Sequence, residues 1–164
     1  MRARDRARRV VETLWAIVTL PPRDGLVVAL ASALLIWYRL RLALPAPLGG
    51  LRLLRGRVES EPDAAWSPEA AGAARSLHLV SLFRRAAAHA VVGRSCLPRS
   101  LALSRLLDLY GLPSRVRIGL RQTDEGFAGH AWVEHHGAVI ADRDEFVRAF
   151  APLSFGHPCL EDAE

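Results

Sequence analysis

"GHAWVEHHGAVIAD", residues 129–142, decides how the fold is read. Apolar and polar residues alternate on either side of His135, His136 and Gly137, the pattern of two antiparallel strands joined by a tight turn. Each strand also carries a polar residue where a hairpin built only for packing would carry valine or threonine: His130 on the first, Asp142 on the second. A three-residue turn at His135–Gly137 sets a register in which Glu134 faces Ala138, Trp132 faces Ile140 and His130 faces Asp142. Side chains directly opposite in an antiparallel pair leave the same face with Cβ atoms about 5 Å apart. This register therefore predicts an imidazole beside a carboxylate, and a two-residue turn would shift every pair by one.

Immediately upstream, "SRVRIGLRQ" (114–122) alternates Val116, Ile118 and Leu120 with Arg115, Arg117 and Arg121, which predicts a half-buried strand. Before it, "RSCLPRSLALSRLLDLYGLP" (94–113) changes the period from 2 to 3.6. Leu103, Leu106, Leu107 and Tyr110 recur at helical spacing, Gly111 suits a left-handed C-terminal cap, and Pro113 forbids continuation. Cys96 stands at the N-terminal edge of this helix. There the helix dipole and the unpaired first-turn N–H groups favour a thiolate and can hold an oxyanion. A helix-terminal Cys followed by His and Asp on neighbouring strands is a Cys-His-Asp constellation suited to nucleophilic acyl chemistry. Each member has an ordinary structural reading as well. A lone Cys before a helix is commonly a small packed residue, and a cross-strand His–Asp pair is commonly an ion pair. By the same reasoning Trp132 reads as core, and His135 and His136 as turn residues.

Further upstream, Ser67-Pro68-Glu69 has the form of a helix start, predicting a helix over about 67–92 with Leu79, Leu82, Phe83, Ala86 and Ala90 inward. Residues 6–20 and about 26–43 read as two more helices, separated by the breaker "PPRDG" (21–25). The second is 13 residues of nearly unbroken apolar character from Leu26 to Tyr38. A membrane span needs about 20 apolar residues, and Arg39 and Arg41 follow, so a buried or interfacial helix is expected. After the hairpin, "DRDEFVRAF" predicts a short helix presenting Phe146, Val147 and Phe150. Helices first and a strand meander later make an α+β fold. The organisational boundary falls at the polar linker after residue 58, giving a basic, apolar helical region over 1–58 and a core over 59–164.

All 22 basic residues are arginine. Residues 1–57 hold 11 of them against Asp5, Glu12 and Asp24, a net of 11 − 3 = +8; the remainder holds 11 against 14 acids, a net of −3. The basic first third suits a docking surface or an anionic membrane face. No nucleic-acid module is recognisable, and no aromatics alternate with the arginines as stacking would require. Glu12 and Thr13 interrupt the first apolar run and no small-residue cleavage site follows, which disfavours a signal peptide. Cys96 and Cys159 have no metal-type spacing, so free thiols and no metal are expected.

At these residues the chain resembles a known family. "SCLPRSLALSRLLDLYGLPSRVRIGLR" followed by "FAGHAWVEHHG" resembles the transglutaminase-like leader peptidases of lasso-peptide biosynthesis. The shared pattern runs over Cys96 to Leu103, Gly111 to Gly119, His130 to Glu134, and Asp142; the looser match extends upstream through "LPPRDGLVVALASALLIWYRLRLAL". Gly129 stands where the family often has Ala before the His. The resemblance implies a transglutaminase- or papain-like core with Cys96 as nucleophile, His130 as general base and then acid, and Asp142 as its orienter. It implies removal of a leader from a ribosomally made precursor before a separate cyclase closes the ring, with a recognition-element protein delivering the leader. The length leaves no room for a fused recognition domain, so the chain looks like the stand-alone protease of a split pair. No cofactor is implied. Trp132 and Arg99 are the substrate-contact candidates, the Cys96 backbone N–H is the oxyanion donor, and a cytoplasmic, membrane-associated setting is expected. Two alternatives remain: an acyltransferase that uses the same residues with an amine outcompeting water, or a catalytically silent scaffold, which would need none of them.

Overall fold

The computed structural model describes residues 20–43, 70–89 and 95–153. Three helices come first in the chain: α1 (Pro22–Ala43), α2 (Ala70–His89) and α3 (Cys96–Leu109). A sheet follows from β1 (Arg115–Thr123), β2 (Gly126–His135), β3 (Ala138–Ile140) and, after the four-residue helix α4 (Asp144–Val147), β4 (Ala151–Pro152). All the strand pairings are antiparallel and the spatial order is β3-β2-β1-β4. The architecture is α+β, as the order of periodicities predicts.

One core joins the three helices to the sheet. Val27, Val28, Ala31, Leu35 and Tyr38 of α1 pack with Leu79, Leu82, Phe83 and Ala86 of α2, with Leu101, Leu103, Leu106 and Leu107 of α3, and with Val116 and Val133 of the sheet. The segment 22–43 thus shares its core with residues beyond 70, across the predicted boundary at 58. Leu79, Leu82, Phe83 and Ala86 of α2 and Leu103, Leu106 and Leu107 of α3 are buried as expected, whereas Tyr110 is half-buried beyond the helix end; Ala90 and the Ser67 cap lie outside the described residues, as does the helix predicted over 6–20.

α1 starts four residues earlier than expected. Pro22 is its first residue, where a missing N–H costs nothing, and Gly25 N–H already donates to Pro21 C=O. The "PPRDG" run therefore opens this helix. α3 closes as predicted. Gly111, at φ +72°, donates to Asp108 C=O and Leu112 N–H donates to Leu107 C=O, the two bonds of a Schellman cap.

The opposite sheet face carries a smaller core of Trp132, Val147 and Phe150, with Ala128 and Val139 against it. It depends on Gly119. A Cβ there would lie 2.9 Å from the Trp132 ring and 2.9 Å from Ala151 C=O. Gly119 is the buried residue of this part of β1, whereas Leu120, expected inward, is 37% exposed. The two-residue β4, too short and proline-containing to read from sequence, pairs Gly119 with Pro152 and Leu120 with Ala151.

Candidate active site

Cys96 is the first residue of α3, with Ser95 as its N-cap. The Ser95 side chain makes no capping bond to the first turn. Pro98, the third helical residue, has no N–H to offer. The N–H groups of Cys96 and Leu97 belong to the first turn, the helix end where the sulfur sits. Cys96 is a half-buried free thiol. Cys159 lies outside the described residues.

His130 occupies β2 opposite Gly119. Its ring is enclosed by aromatics: near-parallel to Trp132 with centroids 6.2 Å apart, edge-on to Phe146 at 5.1 Å, and tilted against Phe150 at 5.3 Å. Its Nε2 is buried, has no hydrogen-bond partner, and lies 3.5 Å from Asp142 Oδ2. That separation suits an ion pair but exceeds hydrogen-bond length. Catalytic contacts are often long before substrate binds. With Nε2 turned to the acid, Nδ1 is the nitrogen left for a nucleophile.

The His130–Asp142 approach is as expected, but its cause is not. The turn has two residues, His136 at φ +49° and Gly137 at φ +74°, the positive pair of a type I′ hairpin. Val133 consequently faces Ile140, Glu134 faces Val139 and His135 faces Ala138. The three-residue register is wrong, and in the true one His130 and Asp142 are not ladder partners. β3 instead stops at Ile140, and Ala141 takes a left-handed conformation at φ +67°. That single kink redirects the chain and returns Asp142 to His130 beyond the end of the short strand.

The same register changes His135. It is the last residue of β2, 5% exposed, and its Nδ1–H donates to Pro113 C=O. It ties the hairpin to the loop after α3 and is not a turn residue; His136 is. Trp132 is buried at 1% exposure, as its core reading has it, and it is not among the residues lining the pocket of Cys96. Its indole N–H donates to Glu134 Oε1 at 2.8 Å, while Arg117 Nε donates to Glu134 Oε2 at 3.1 Å. Trp132 is the fixed wall behind the His130 ring.

A pocket of about 190 Å³ gathers Cys96, His130 and Asp142, with Arg99, Ser100 and Ala141 also on its walls. Phe83, Leu103, Val133 and Ile140 give it an apolar lining. Arg99, predicted to touch substrate, is exposed and lines this pocket. Sequence reasoning overlooked Ser100. Its buried hydroxyl donates to Ala131 C=O at 2.8 Å. Ser100 stands one helical turn after Cys96, and Ala131 follows His130, so one bond joins the helix of Cys96 to the strand of His130. The only signal in the sequence was the i, i+4 spacing of Cys96 and Ser100. Among the described residues no group of three His, Cys, Asp or Glu side chains is placed to hold a metal ion.

No curated protein and no solved structure matches the chain. The sequence profile of the transglutaminase-like superfamily matches residues 33–155, which runs from the middle of α1 through β4 and includes Cys96, His130 and Asp142. The chain belongs to the transglutaminase-like superfamily, whose chemistry is of the cysteine-protease or acyltransferase type.

Proposed function

We propose that this chain is a cysteine endopeptidase that removes the leader from a lasso-peptide precursor before macrolactam closure. The observation that carries the chemistry is the meeting of Cys96, His130 and Asp142 in one pocket at a helix N-terminus. The pattern "CLPRSLAL", "HAWVE" and Asp142 carries the substrate class, through its resemblance to the leader peptidases.

In this reading His130 takes the Cys96 proton and the sulfur attacks the scissile carbonyl. The Cys96 N–H, joined by Leu97 N–H, receives the oxyanion. The imidazolium, held by Asp142, protonates the leaving amine; water then attacks the thioester and regenerates the thiol. The leader is the departing acyl portion, and the freed amine is what a separate cyclase would join to a side-chain carboxylate. A recognition-element protein delivers the leader, the 1–58 region serves for docking or lies near the membrane, and the cytoplasm is the place of work. Arg99, at the pocket wall, contacts the peptide.

The test is mass spectrometry of the cognate precursor incubated with the recognition protein and either wild type or Cys96→Ala. Leader release by wild type alone is expected. Equal release by both would remove Cys96 from the mechanism. A leader acyl group transferred to an added amine in preference to water would replace the peptidase with the acyltransferase. Binding of the complex without cleavage by either would leave a scaffold.

A further inference from the structure

The outer face of α1 is apolar and uncovered. Leu26, Ala29, Ala33, Ile36, Trp37 and Leu40 are all exposed, with Leu26 at 71%, Ile36 at 49%, Trp37 at 56% and Leu40 at 57%. Their spacing of three and four residues places them in one stripe, roughly 120° wide on a helix of 100° per residue. The opposite face is the one built into the core, through Val27, Val28, Ala31, Leu35 and Tyr38. The helix is thus apolar on both sides, and only one side has a protein partner among the described residues.

Charge defines what suits the other side. Arg23 and Arg41 flank one edge of the stripe, Arg39 flanks the other, and all three are exposed. Arg41 lies over the Trp37 ring, 5.6 Å from its centroid. The sole acid on the helix, Asp24, is turned away and sits 3.2 Å from His78 Nε2 on α2. An apolar stripe with an interfacial tryptophan and an arginine rim is complementary to a negatively charged bilayer surface: the stripe enters the acyl boundary while the guanidinium groups reach the phosphates. A second copy fits poorly. Antiparallel pairing of two stripes would bring Arg23 of one chain toward Arg41 of the other, with no carboxylate on the stripe between them.

We infer that α1 is a membrane-surface docking face, which rests the molecule on anionic lipid with the stripe lying in the plane of the interface. Length and composition alone would also let Pro22–Ala43 cross a membrane. Crossing would require Val27, Val28, Ala31, Leu35 and Tyr38 to abandon the core, so the helix lies on the bilayer while the fold stays intact. This inference holds whether or not the chain cuts a leader peptide.

Flotation of the full chain with vesicles tests it. Wild type is expected to float with vesicles of phosphatidylglycerol mixed with phosphatidylcholine and to remain largely behind with phosphatidylcholine alone. The double substitution Trp37→Ser and Leu40→Gln, at exposed positions, is expected to cut binding about tenfold or more without lowering the melting temperature. Arg41→Gln should cut it about fivefold. Should the double variant melt early, Leu26→Gln at the far end of the stripe repeats the measurement. Absence of flotation, or flotation of the stripe variants equal to wild type, overturns the inference; the latter would assign lipid binding to the basic residues elsewhere. A wild-type dimer that the double substitution splits would give the stripe to a second copy.

Discussion

Cys96 and Asp142 line the same pocket but are held in place by very different means. Cys96 opens a 14-residue helix whose Leu101, Ala102, Leu106 and Leu107 are completely buried, and whose end is closed by a Schellman cap. Its position is the sum of many apolar contacts. Asp142 lies beyond a three-residue strand, follows one left-handed alanine, and has a side chain 34% exposed. Its position depends on one backbone dihedral and on a 3.5 Å approach to His130. Cys96 is fixed by packing, Asp142 by local backbone geometry, and substitutions should affect the two sides differently.

The largest effect expected on the acid's side is functional. Asp142→Ala should lower the rate of acyl chemistry about 10²–10⁴-fold, since the imidazolium loses its orienting charge. The fold should barely respond, because the side chain is partly exposed and contributes little packing. Steady-state rates beside a thermal melt check this; a loss of stability that tracks the loss of rate would show that Asp142 is structural.

Gly119→Ala probes the rigid wall behind His130. The added methyl meets a packed indole and a backbone oxygen at 2.9 Å, so the variant should lose about 1–3 kcal/mol of stability. Chemical denaturation measures it, and an unchanged midpoint would mean the Trp132 ring moves freely. Next comes Ser100→Ala, which removes the bond from α3 to Ala131 C=O. A buried carbonyl left without its donor costs about 1–3 kcal/mol. Ser100→Thr, which keeps the hydroxyl, should recover Cys96 alkylation by iodoacetamide to near wild type. Recovery of stability without recovery of alkylation would deny Ser100 a positioning role.

The smallest effect sharpens the comparison most. Ala141→Gly relieves the left-handed strain but frees the unfolded chain, so its stability should stay within about 1 kcal/mol of wild type. Ala102→Gly, deep in α3, should lose about 1 kcal/mol from helix propensity alone, and more from lost packing. Equal losses at the two alanines in urea denaturation would erase the distinction between the two sides.

The same distinction explains what could be read from the sequence. The α3 helix was legible because Leu103, Leu106 and Leu107 repeat at helical spacing and Gly111 and Pro113 mark its end. β1 was legible as a strand from its alternation, although the alternation placed Leu120 inside and gave no hint that Gly119 sits under Trp132. The hairpin register was not legible, because His136 adopts a positive φ that non-glycine residues rarely take. A turn of "HHG" can hold two residues or three, and only the backbone decides. The pairing of His130 with Asp142 was therefore anticipated through the wrong geometry: the ladder does not make it, Ala141 does. Ser100 and β4 escaped because a single buried hydroxyl bond and a two-residue strand leave no periodic trace.

The placement of Asp142 outside the ladder also bears on how such a site can evolve. A residue inside the sheet cannot be shifted by one position without turning every neighbour over. A residue on the loop after β3 can be. An exchange of Asp142 for another hydrogen-bond acceptor would leave the β1–β2–β3 pairings as they are, since Asp142 belongs to none of them. Cys96 is locked to the fold, while Asp142 sits on a loop, where natural variation concentrates. Descendants of this scaffold could therefore sample different acids, or none, while keeping the same sheet.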